Sequence, residues 1–137
     1  MNPSSFAMNI TSGIKLLDEH EGAGKPAEKG DRVVYNVKIF LNRGDEVPLN
    51  ELQVNRVPAH RVRTEGAYAF VDHWITLGKR EAIAGVERTL TGMKVGGYRK
   101  VRVSPHRAYR EAGLPGLIPE NAVLVLEVWL REISEHP

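Results

Sequence analysis

The chain has 137 residues, a formal net charge of +2 and no cysteine, enough for one domain with its own core and excluding disulfides, thiolate metal sites and cysteine nucleophiles. Its five histidines, at 20, 60, 73, 106 and 136, lack the close helical spacing of metal-binding pairs, so no structural zinc is expected. No apolar run approaches the roughly 20 residues that span a bilayer and "MNPSSFAMNITSG" lacks the basic start and apolar centre of a signal peptide, so the chain reads as cytoplasmic, with no membrane partner.

In chain order, residues 1–11 read as a flexible polar lead to a single domain over 12–137. "GIKLLDEHEG" is a short strand, and "GAGKPAEKGD" a turn segment by its glycines and proline. "DRVVYNVKIFL" sets Val33, Tyr35, Val37, Ile39 and Leu41 at two-residue spacing, the period of a half-buried strand, closed by a turn at "NRGD". From Pro48 to Gly66 the pattern is lost, and about 49–66 is an extended loop with room for one short strand. "AYAFVDHWITLGK" is a strand by its aromatic and branched residues. "KREAIAGVERTLTGM" places Ile83, Val86, Leu90 and Met93 at steps of three and four, an amphipathic helix over about 81–91 that ends near Gly92. "YRKVRVSP" alternates as a strand with one wet face, and "AVLVLEVWLREI" is a last strand with Leu124, Leu126, Val128 and Leu130 on one side. Strands without alternating helices indicate an α+β domain, an antiparallel sheet packed over one helix.

One loop does not fit the usual polar composition. "YREAGLPGLIPEN", 109–121, combines two glycines and two prolines with Leu114, Leu117 and Ile118. The order Leu77-Gly78, helix, Met93 to Gly96, Ser104-Pro105, Ala108-Tyr109 and Pro115-Gly116-Leu117-Ile118-Pro119 resembles the carboxy-terminal half of the FKBP family of peptidyl-prolyl isomerases. The resemblance implies an FKBP-like curved antiparallel sheet wrapped around one short helix. It also implies an apolar cup of which this loop is one wall, no cofactor, and proline-containing peptide or protein segments as partners.

Carried over by position, Tyr109 and the backbone N–H of Ile83 are the expected catalytic donors. Ala82, Val86, Leu117, Ile118 and Leu126 are expected to bind substrate. Val37, Val47 and His73 fall at further pocket positions, with a one-residue slip of the first long strand putting Asn36 in place of Val37. Four of these depart from the family pattern: Val86 replaces an aromatic floor, Val37 a tyrosine, Val47-Pro48 a phenylalanine–aspartate pair and His73 an aromatic. The expected function is therefore a weak or specialised isomerase, acting as a monomer or weak homodimer. The alternative is a non-catalytic peptide-binding module with the same fold.

The extended loop brings Arg56, His60, Arg61 and Arg63, with Lys79 and Arg80 nearby. Without interleaved aromatics this does not make a nucleic-acid site, and nucleic acid is not expected as a partner. Strand parity turns Trp74 and Trp129 outward, where cover by the 49–66 segment, by the lead or by a second subunit is expected.

Overall fold

A computed structural model of the chain describes residues 8–47, 61–66, 68–110, 113, 116 and 118–134. The strands are β1 (Met8–Thr11), β2 (Ile14–His20), β3 (Arg32–Leu41), β4 (Glu46–Val47), β5 (Val62–Glu65), β6 (Tyr68–Val71), β7 (His73–Thr76), β8 (Tyr98–Val103) and β9 (Leu124–Ser134). Among the described residues the one α-helix is α1 (Ala84–Leu90). A seven-stranded sheet runs β1-β2-β8-β9-β3-β4, with β7 also paired to β3, and β5-β6 form a separate hairpin.

β9 and β3 form the spine. Their antiparallel register runs from Arg32 opposite Ser134 to Leu41 opposite Leu124. The alternation read in the last strand holds: Leu124, Leu126, Val128 and Leu130 have no exposed surface and face α1 with Val33 and Tyr35. The register shifts once, because Val34 pairs with Glu132 and Tyr35 with Leu130, leaving Arg131 as the extra residue of a bulge that re-aims its side chain.

Two boundaries differ from the sequence reading, and one short strand falls inside the extended loop, where the sequence left room for it. Residues 8–11, assigned to the flexible lead, are β1, which pairs with β2 from Met8 opposite Leu16; backbone pairing at the sheet edge and the packing of Ile10 on the core order a stretch too short for side-chain periodicity to register. Part of the extended loop, 62–65, is the strand β5, paired with β6 from Val62 opposite Val71; residues 49–60 lie outside the described ones. The helix is shorter than 81–91, since Ile83 is extended (φ −60°, ψ 150°) and Ala84 is the first helical residue. The chain before it is held by carboxylates instead: Glu81 accepts the N–H of Thr76, and Glu87 those of Gly78 and Ala82.

Helix and sheet approach closely at Gly85, where a Cβ would meet Val103 Cγ1 at 2.8 Å and the Arg107 carbonyl at 3.0 Å. The helix ends as read, with Gly92 at φ +89°. Arg99 caps its last turn, donating to the carbonyls of Thr89 and Thr91, where the helix dipole favours a cation.

On the outer face a polar network anchors the β5-β6 hairpin. Asn36 is fully buried and donates to the Val71 carbonyl at 2.9 Å and to Asp72 at 2.7 Å, while Arg131, aimed by the bulge, donates to its Oδ1. Arg63 clamps the Asp72 carboxylate with two nitrogens, at 3.0 and 2.9 Å. This recruitment of Asp72 divides the single strand expected over "AYAFVDHWIT" into β6 and β7.

The two tryptophans differ in their cover. Trp129 packs against Phe70 of β6 edge-on at 5.3 Å and against Tyr98 at 5.3 Å. Trp74 is 49% exposed.

Candidate active site

The loop after Tyr109 is shaped by its backbone. Arg110 and Asn121 both take positive φ, 55° and 52°, and the Asn121 N–H closes the loop base on the Arg110 carbonyl at 3.0 Å. Inside it the Gly113 N–H donates to the Tyr109 carbonyl at 3.1 Å. Gly113 has φ +62°, and a Cβ there would lie 2.4 Å from the Ile118 carbonyl oxygen; only glycine permits this approach. The turn drives Ile118 into the core, where it is 3% exposed. The apolar character of the loop thus has a structural use at Ile118; Leu114 and Leu117 lie outside the described residues.

The core that receives Ile118 also has partly buried apolar side chains packed against it, among them the expected site residues Val37, Val47, Ala82, Ile83 and Tyr109. Val86, 4% exposed, and Leu126, with no exposed surface, are members of that core. The one-residue slip that put Asn36 in place of Val37 is excluded, because its side chain is on the opposite face in the hairpin network. Pro48 lies outside the described residues.

Two phenols and an imidazole lie close to one another on this core. His73 stacks on Tyr35, with ring centroids 5.4 Å apart and 30° between planes. Burial, and then the nearby Tyr109 and Glu87, hold the Tyr35 hydroxyl well above the ordinary tyrosine range, and burial raises Tyr109 as well. Both are neutral donors at physiological pH. Burial lowers His73, Arg61 adds to the effect and Asp72 opposes it, so the imidazole is neutral at pH 7 and adds no charge to an apolar surface.

Ile83 contributes differently. Its carbonyl accepts the N–H groups of Val86 and Glu87 at 3.0 and 3.2 Å, whereas no described residue accepts its own N–H. Glu87, by taking the neighbouring amides of Gly78 and Ala82, holds this turn in place. Tyr35 and Glu87 were not singled out from the sequence. Tyr35 was legible only as core, and the signal for Glu87 was its acidic side chain in the first helical turn.

Among the described residues no three of His, Asp and Glu are placed to hold a metal ion. What the described residues offer is a set of partly buried apolar side chains and the neutral hydroxyls of Tyr35 and Tyr109 on one core.

The sequence profile of the FKBP-type peptidyl-prolyl cis-trans isomerases matches residues 23–131. The chain is 47% identical over 130 residues to FK506-binding protein 4 of Aspergillus fumigatus, covering 95% of this chain and 23% of that protein. It is 34% identical over 125 residues to the 39 kDa FK506-binding nuclear protein of Drosophila melanogaster, covering 90% and 30%. It is 40% identical over 123 residues to FK506-binding protein 1A of Neurospora crassa, covering 89% of each. The chain thus spans a third or less of the first two proteins and most of the third.

Proposed function

The chain belongs to the family of FKBP-type peptidyl-prolyl cis-trans isomerases, and from that premise we propose that it interconverts the cis and trans forms of X-Pro bonds in peptide or protein segments at the rim around Tyr109, Ile83 and Ile118. The reaction crosses a barrier of about 20 kcal/mol set by amide resonance, and no covalent bond changes. No nucleophile, metal or cofactor is called for. Catalysis consists of binding the twisted amide better than either planar one. The planar amide is the more polar, so moving its carbonyl from water to an apolar surface favours the twisted state.

The observation that carries this reading is the pairing of a closed apolar wall with uncommitted donors. Ile118 is seated by the Gly113 turn, and on the same core lie the phenol of Tyr109 and the N–H of Ile83, neither engaged by a described residue. In this proposal the two donors hold the substrate carbonyls, Ala82, Val37, Val47 and His73 border the proline, Leu117 extends the wall, and Val86 and Leu126 support it. With Val86 where the family has an aromatic ring, the activity is weak or specialised. Macrolides such as FK506, named for several relatives, bind poorly for the same reason.

No helix among the described residues is long and apolar enough to cross a membrane. We place the protein in the cytoplasm, acting as a monomer or weak homodimer. The test is a protease-free assay of proline-limited refolding. Low but measurable acceleration is expected, reduced about fivefold by Tyr109→Phe for the loss of one hydrogen bond and far more by Ile118→Asp, which buries a charge. Rates equal to the uncatalysed control at high enzyme concentration refute the isomerase reading.

A further inference from the structure

Beside the rim, on the outer face of β7, the structure gathers a second set of side chains. Trp74 follows His73 in the strand, so the two point to opposite faces: His73 stacks on Tyr35 at the rim, while Trp74 is 49% exposed. Two guanidiniums converge on the Trp74 ring, Arg61 at 5.1 Å and Arg32 at 5.7 Å from its centroid. Among the described residues neither pairs with a carboxylate, whereas Arg63, Arg99 and Arg131 all do. Arg61 is also held in place, since its carbonyl accepts the Asp72 N–H at 2.7 Å and its Nε–H donates to the Asp72 carbonyl at 3.1 Å. That lock fixes the guanidinium at the crossover between the inward His73 and the outward Trp74.

Resting on the isomerase reading, we propose that Arg61, Arg32 and Trp74 form a subsite adjoining the rim that selects substrates with acidic residues flanking the proline. Two like charges brought to one indole repel each other, and an anionic ligand relieves that repulsion while the ring holds both planes in register. An extended flank advances about 3.3–3.6 Å per residue, so an acidic side chain carried along the flank away from the proline reaches the two guanidiniums at Trp74. A polypeptide fits better than a nucleic acid. Among the described residues only two guanidiniums stand over this ring, and Glu65, Asp72 and Glu132 lie in the adjoining network and on the paired strand, where they repel a continuous phosphate backbone.

The test compares peptides with one X-Pro core flanked by glutamates, by serines or by lysines, followed by exchange NMR on the whole chain. Glutamate flanks are expected to raise kcat/KM about tenfold over lysine flanks, as two exposed ion pairs allow. The preference should collapse in Arg32→Gln/Arg61→Gln and at high salt. Equal rates for the three peptides, or a preference that survives the double variant, overturn the subsite. Should no peptide turn over, the isomerase reading fails on its own, and titration of the glutamate-flanked peptide against Trp74 fluorescence still decides the subsite; Trp74→Phe removes that signal and leaves Trp129. Saturable quenching that depends on both arginines supports it, and no quenching rejects it. Tighter binding of an oligo(dT) strand than of the acidic peptide also overturns it, and assigns the patch to nucleic acid.

Discussion

Replacing Gly113 by alanine tests whether the loop wall is part of the active surface. Two costs arise. At φ +62° an alanine sits in the left-handed region, which costs about 1–2 kcal/mol for an L residue. Its Cβ would also lie 2.4 Å from the Ile118 carbonyl oxygen and 2.6 Å from that of Pro119, where real contacts stay beyond 3.0 Å, so the backbone after Ile118 has to retreat. That movement unseats a side chain only 3% exposed, whose full burial is worth about 1.5–3 kcal/mol. Counting part of the burial, the closed loop loses about 2–4 kcal/mol, or one and a half to three powers of ten in its population. Because the closed loop starts out favoured, kcat/KM in the refolding assay is expected to fall somewhat less, by about tenfold to a hundredfold. Gly116→Ala is the control: φ is +79° but nothing lies within 4 Å of its Cβ, so only the conformational cost remains. Urea unfolding separates loop opening from global destabilisation. Gly113→Ala with activity equal to that of Gly116→Ala refutes the contact argument, and wild-type activity in both refutes the role of the wall.

His73, whose pKa is lowered by burial, should make the protein acid-sensitive. Below the unfolded value near 6.5 the unfolded chain binds a proton that the folded chain refuses, so stability present above that pH declines as pH falls toward the folded value. Burial pushes the Asp72 carboxyl up, but its bonds to Arg63 and Asn36 outweigh this and leave it lowered, so a second loss follows below about pH 4. Urea titrations of His73→Phe should lose the first decline and keep the second; an unchanged profile between pH 7 and 5 rejects the assignment. Arg63→Ala leaves Asp72 with fewer partners, at a cost of about 1–2 kcal/mol because the pair is part exposed. Asn36→Leu, at a fully buried position, removes the acceptor of Arg131 Nε and the donors to the Val71 carbonyl and Asp72 and should cost more, about 2–4 kcal/mol; thermal melts that reverse this order sink the network account. Phe70→Ala removes the ring edge-on to Trp129 and should red-shift the emission, most clearly in a Trp74→Phe background, whereas unchanged emission there means that other groups cover Trp129.

Most of the sheet was legible because its strands carry period-two patterns over six or more residues. β3 keeps an apolar residue at every second position from Val33 to Leu41 and β9 from Leu124 to Leu130, because those positions face the core. β1 and β5 were hard to read because an edge strand or a small hairpin is held by backbone bonds and by partners distant in sequence. The helix start was misplaced for a related reason: periodicity records which face is buried, while the extended chain up to Ile83 is held by Glu81 and Glu87, which accept the amides of Thr76, Gly78 and Ala82.

From the residues alone came the α+β class, the resemblance to the isomerase family, and the loop that holds Ile118, since these rest on local pattern and on a nearly ungapped order of turns. The tertiary structure decided which side chains meet. It set Tyr35 beside His73 and Tyr109, turned Asn36 to the opposite face, and brought Arg61 and Arg32 to Trp74, joining positions 13 to 74 residues apart in the chain. An aromatic absent from the basic segment in sequence is next to it in space. The reason is physical: a single strand specifies the face of each side chain, but the neighbour across the ladder, and the charge it carries, follow from register and bulges that only the assembled sheet defines.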